Sequence, residues 1–157
     1  MPRSIASIAA VDIGLEELPV GSNHGPDLDK FFKADDLEID GKTDGYPWCA
    51  AAVSFWTQEF LKKNNITSVK PPRIAAVRLF EEWAKKNLLP ISKTPKKNSI
   101  VVFNFSHIGV VEGVDDYGNV VCIEGNTNDD GSREGYEVCR KHRKPDSCKF
   151  FIHLPEA

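Results

Sequence analysis

The spacing of hydrophobic positions changes once along the chain. From Ser4 to Leu18 apolar residues fall at Ile5, Ile8, Val11, Leu15 and Leu18, the spacing of one helical face, behind a serine able to cap it. Leu18 to Pro26 reads as a loop carrying Gly21, Asn23, Gly25 and Pro26, and Asp27 to Phe32 as a short helix after the proline. Asp40 to Gly45 is polar and turn-like. Pro47–Lys63 and Arg73–Leu88 read as helices, the second bracketed by Pro71, Pro72 and Pro90. Past residue 97 short runs of Val, Ile and Phe take over, separated by Gly, Asp and Asn. They predict strands at Ser99–Phe105, His107–Val114, Asn119–Glu124, Gly135–His142 and Lys149–Leu154. Helices first and strands second predict an α+β fold, with N-terminal helices packed on a C-terminal antiparallel sheet.

Composition narrows the class. The 157 residues are expected to form one domain, 1–157, and 41% hydrophobic with 27% charged residues describe a folded globular chain. Twenty basic and 23 acidic residues give a net charge of −3, without the basic excess of a nucleic-acid binder. No apolar run approaches the ~20 residues of a membrane span. The apolar stretch Ile5–Val11 is broken at once by Asp12, Glu16 and Glu17, so no signal peptide is read there. Cytoplasmic synthesis is expected, with any action outside the cell reached by release or by another export route. A monomer is expected, and four cysteines are too few for a disulfide framework.

The chemistry begins at Gly45-Tyr46-Pro47-Trp48-Cys49-Ala50-Ala51-Ala52. Pro47 suits the first helical position, since its missing N–H would find no partner there. Cys49 then falls in the first turn, where free N–H groups and the positive end of the helix dipole favour a thiolate and can stabilise an oxyanion. Val53, Trp56 and Phe60 continue its stripe, while Ser54, Gln58 and Lys62 lie on the other side. The bland alternative is a small cysteine packed in the core.

His107 opens a strand, in Ser106-His107-Ile108-Gly109-Val110-Val111, and Glu124 and Asn126 share a face in Cys122-Ile123-Glu124-Gly125-Asn126. If Asp115–Gly118 is a four-residue hairpin loop, Val114 pairs with Asn119. Gly109 then lies opposite Glu124 and His107 opposite Asn126, all on one face. A three-residue loop would reverse the face of His107 relative to Glu124 and Asn126. With the even loop, Cys49 could attack a carbonyl, His107 carry the proton within hydrogen-bond reach of the thiol, and Glu124 or Asn126 hold the other ring nitrogen. Glu124 is the expected orienter, because a carboxylate stabilises an imidazolium and an amide only aligns it.

These segments together resemble a CHAP domain, a branch of the NlpC/P60-like, papain-fold cysteine peptidases and amidases. Glu17 with Gly21-Ser22-Asn23-His24-Gly25 resembles the leader before the catalytic helix, and Gly125 to Gly135 the loop after the polar pair. The resemblance implies a papain-like fold and hydrolysis of a peptidoglycan amide bond, as an N-acetylmuramoyl-L-alanine amidase or an endopeptidase. It implies Cys49 as nucleophile, His107 as base, and Glu124 and Asn126 as orienting residues, with no cofactor. Trp48, Tyr46 and His24 are the expected substrate contacts. Some members bind calcium through acids ahead of the nucleophile; here Lys42 lies between Asp40 and Asp44, and no metal is expected. No cell-wall-targeting module is read, and an exported toxin of this kind would need a neutralising partner protein. The rival readings are a cysteine amidase acting on another amide or isopeptide, and a silent wall-binding module of the same fold.

Other clusters read less sharply. Cys139, His142, Cys148 and His153 have the wrong spacing to share a strand face as zinc ligands, and a Cys139–Cys148 disulfide across a hairpin stays open. Cys122 is expected in the core. The basic run Arg140-Lys141-His142-Arg143-Lys144 reads as a solvated hairpin, or else as an attraction to an anionic wall polymer.

Overall fold

A computed structural model describes residues 4–19, 22, 25–34, 48–127 and 137–156, with the side chains of 126 and 127 outside that description. Among these residues four α-helices precede the sheet: α1 Ile5–Ala10, α2 Asp29–Ala34, α3 Cys49–Lys63 and α4 Phe80–Lys86. Six strands follow: β1 Ile91–Ser92, β2 Ser99–Phe103, β3 Ile108–Val114, β4 Val120–Thr127, β5 Glu137–Arg143 and β6 Cys148–His153. The fold is α+β, as the change of spacing predicts. No helix among the described residues is long and apolar enough to cross a membrane.

Ser4 caps α1, its hydroxyl accepting from the Ser7 N–H at 3.0 Å. The helix ends at Ala10, well short of the predicted Leu18. Asp12 turns inward to accept from the Trp56 indole at 2.9 Å and to pair with Lys30, and Gly14 then takes a left-handed φ of 99°. Long-range partners for one buried carboxylate outweigh the helical pattern beyond it. The helix α3 is buried on more than its predicted stripe. Ser54 exchanges hydrogen bonds with Ile74, and the Gln58 amide donates to the carbonyls of Ala34 and Pro72. The segment before α4 therefore covers the side that the sequence reads as solvated. The predicted helix Arg73–Leu88 shrinks to a single 3₁₀ turn, Val77–Leu79, followed by α4.

All strands pair antiparallel in the order β1-β6-β2-β3-β4-β5. The β5 to β6 connection is residues 144–147, including a 3₁₀ turn at Pro145–Ser147. In a flat sheet strands so placed would lie roughly 19 Å apart, more than so short a link spans at ~3.5 Å per residue. The sheet therefore curls, bringing the end of β5 against the end of β2. Asn104, just after β2, ties this closure by donating to Ser147 and Asp146 carbonyls at 2.9 and 2.6 Å. Two cores result. The larger, with Phe31, Trp48, Trp56, Ile108 and Ile123, lies between helices and sheet. The smaller, with Val101, Phe103, Val111, Cys122 and Phe151, lies inside the curl.

The β3–β4 turn departs from the four-residue loop. Val114 pairs with Val120, the Asp115 N–H donates to the Asn119 carbonyl at 2.9 Å, and Gly118 takes a φ of 81°. This is the odd turn that should reverse the face of His107. A β-bulge at Glu112 adds the compensating residue: Gly113 pairs with Val121, yet Val111 pairs with Cys122 and Val110 with Ile123. Gly109 thus falls opposite Glu124 after all, for a different reason than loop parity.

Candidate active site

Cys49 is the first residue of α3, with Trp48 in the N-cap position but without a side-chain cap bond. Its backbone N–H and those that follow in the first turn have no intrahelical acceptor. Trp48 is sealed in the core at 0% exposure, stacked on Phe31 at 5.7 Å and donating its indole N–H to buried Glu17 at 2.8 Å. It supports the helix tip from below. Tyr46, His24, Pro47, Asp40 and Asp44 lie outside the described residues.

His107, immediately before β3, and Glu124, on β4, are each fully buried and meet directly, the His107 Nε2–H donating to Glu124 Oε1 at 2.8 Å. The other ring nitrogen, Nδ1, makes no hydrogen bond. The Cys49 thiol, itself buried, lies near enough to act on the ring's charge. Burial works against an imidazolium, but contacts to Cys49 and Glu124 outweigh it and raise the His107 pKa from 6.5 to about 9. Asn126 lies on β4 two residues past Glu124, with its side chain outside the description.

Two glycines make this packing feasible. A Cβ at Gly109 would come 2.8 Å from Glu124 Cγ, and one at Gly125 would come 2.6 Å from Trp48 Cζ3. Glycine on either side thus lets Glu124 sit against β3 and β4 sit against the helix tip.

A residue read as part of a solvated run completes the site. Arg143, at the end of β5, grips Glu124 through both carboxylate oxygens, Nε to Oε2 at 2.9 Å and Nη2 to Oε1 at 2.5 Å. Its guanidinium lies over Phe103 and Phe105 at 5.0 and 5.4 Å, and both rings stack with the His107 imidazole. Burial pushes the Glu124 carboxyl up, but Arg143 and His107 prevail and hold it below the usual range. The signal in sequence was faint: in β5 odd positions share the Glu124 face, but only once the β4–β5 register is known.

The remaining clusters resolve apart from this site. No disulfide joins any of the four cysteines, so Cys139 and Cys148 are not bridged. His142 bonds Asp115 at 2.8 Å, and His153 sits between the hydroxyls of Ser92 and Ser99 at 2.6 and 2.7 Å. Burial pushes the Cys122 thiol well up, in keeping with a core residue.

Comparison with known families matches the CHAP domain over residues 41–126. This stretch is more than half of the chain, and it contains Cys49, His107, Glu124 and Asn126. No curated protein and no solved structure matches. The chain belongs to the CHAP domain family, whose activity is hydrolysis of the amidase or peptidase type, generally on peptidoglycan.

Proposed function

We propose that this CHAP-family chain cleaves an amide bond of peptidoglycan by thiol catalysis, as an N-acetylmuramoyl-L-alanine amidase or an endopeptidase. The observation that carries the reading is the state of the His107 ring. One nitrogen is locked onto Glu124, the other makes no hydrogen bond, and the Cys49 thiol is near enough to act on the ring's charge.

The steps follow from that arrangement. The Cys49 proton passes to His107 Nδ1 before attack, the charged ring being favoured by its raised pKa, and the thiolate then attacks the amide carbon. The carbonyl oxygen, now anionic, is met by N–H groups of the first turn of α3 that have no intrahelical acceptor. Collapse breaks the C–N bond, and His107 returns its proton to the departing amine, leaving a thioester on Cys49. Water then loses a proton to His107, attacks the thioester, and releases the carboxylic acid and the free thiol. Glu124 keeps the ring aligned throughout and stabilises it while charged.

Digestion of purified peptidoglycan followed by mass spectrometry of the fragments tests the reading and identifies the bond. Cys49→Ala and Cys49→Ser should both be silent. Their fold should persist, since losing one small thiol costs roughly 1 kcal/mol or less. Wild-type turnover by Cys49→Ala would remove Cys49 as the nucleophile.

A further inference from the structure

We propose that Arg143 is a positioning residue of the catalytic unit, its guanidinium fork fixing the plane of the Glu124 carboxylate and thereby the tilt and charge of the His107 ring. This rests on the thiol-hydrolase reading above. Glu124 Oε1 is shared: it accepts from both His107 Nε2 and Arg143 Nη2, while Oε2 accepts from Arg143 Nε. A carboxylate held by one imidazole alone can swing about its side-chain bonds. Held by a two-point fork, it offers His107 one lone pair in one direction.

Arg143 is itself held in place. Its side chain is 14% exposed, and the two phenyl rings beneath it are the ones that flank His107. Guanidinium and imidazole therefore share one aromatic wall, and a shift of Arg143 is felt by the ring through both the carboxylate and the stack. The charges alternate as well. A Cys49 thiolate, a His107 imidazolium, the Glu124 carboxylate and the Arg143 cation sum to zero, whereas the same set without Arg143 buries one excess negative charge.

Among the described residues, the titratable groups facing His107 are Glu124 from β4 and Cys49 from α3, with Arg143 from β5 acting through the shared oxygen. The thiols of Cys122, Cys139 and Cys148 lie around the Glu124–Arg143 pair. Without the guanidinium, the carboxylate's charge falls on His107 alone, and the imidazolium gains.

Two variants separate fork from charge. Arg143→Gln removes both; its His107 titration, followed by NMR of the ring Cε1–H, should rise by about one unit, and kcat should fall at least roughly tenfold. Arg143→Lys keeps a cation and the packing stem, so it should fold and leave the titration near wild type. It lacks the fork, so kcat should still fall with KM little changed. Wild-type kcat in Arg143→Lys would overturn the proposal. So would an unmoved His107 titration in Arg143→Gln with activity lost only in step with the melting temperature, the mark of a simple strand tie. The titration needs no substrate, so it tests Arg143 even if Cys49→Ala were to disprove the thiol mechanism.

Discussion

Gly109 faces Glu124 across the β3–β4 ladder, and its missing side chain is where the site can be disturbed without touching a reacting group. A Cβ there would lie 2.8 Å from Glu124 Cγ and 3.1 Å from the Ile123 carbonyl oxygen, where ordinary contact begins near 3.4 Å. The Ile123 side belongs to the paired backbone of β4 and yields little. Glu124 must therefore give by at least about half an ångström, against the bonds at 2.8, 2.9 and 2.5 Å that hold its carboxylate. Overpacking of this kind costs about 1–3 kcal/mol. At about 2–4 °C per kcal/mol for a chain of this size, Gly109→Ala should melt roughly 3–10 °C lower. The effect on rate should be larger in proportion, because a misplacement of ~1 Å in a catalytic constellation costs on the order of a hundredfold. A tenfold or greater loss of kcat is expected, read as release of dye-labelled fragments from peptidoglycan well below the melting temperature. Gly113→Ala is the matched control, on the same strand with nothing within 4 Å of the added carbon. Wild-type kcat in Gly109→Ala would show that the hairpin has room to spare and that Glu124 is not held as tightly as its contacts imply.

Further outcomes follow from the same geometry. Glu124→Gln should lower kcat by more than about tenfold and lower the His107 pKa, while Asn126→Ala should cost less; the reverse order, compared at several pH values, would make Asn126 the orienter. Gly125→Ala drives a Cβ to 2.6 Å from Trp48 Cζ3 and 3.0 Å from Ala52 Cβ, so a denaturant titration should show a loss of about 3 kcal/mol. His107 is raised from 6.5 to about 9 in the folded chain, so the stability it contributes is fully present below pH 6.5 and is lost as pH rises through 9. Wild-type stability should fall by on the order of 1–3 kcal/mol across that window, and His107→Asn should abolish that component; an equal fall in both would assign the change elsewhere.

Much of the site was legible because its parts are local. A proline-flanked cysteine before an apolar stripe predicts a helix tip, and Cys49 is indeed the first residue of α3. Glu124 and Gly109 fall on one face by strand alternation. The route to that result was wrong in one respect: the turn is odd, and the bulge at Glu112 reverses the faces a second time. Two compensating errors of one residue are invisible to a pattern of alternation. The parts that were illegible depend on distant partners. The early end of α1 is set by Trp56 and Lys30 reaching Asp12, and the burial of Ser54 by the carbonyl of Ile74. The depth of Trp48 also depends on a distant partner, since glycine at 125 lets β4 close over it.

Arg143 shows where local reading stops. It stands in a run of five basic residues, and its neighbours behave as that run suggests, with Arg140 on Glu112 and His142 on Asp115, at the surface. Only the curl of the sheet distinguishes it, by bringing the end of β5 beside Phe103 and Glu124. The family match covers residues 41–126, which hold Cys49, His107 and Glu124, the proposed nucleophile, base and orienting carboxylate. The cation that shares that carboxylate comes from outside this stretch. A fully buried carboxylate left with one partner is a poor anchor, and breaking such a buried pair costs about 3–5 kcal/mol. The β5 end of the sheet therefore contributes the cation that shares the Glu124 carboxylate with His107 and holds it at two points.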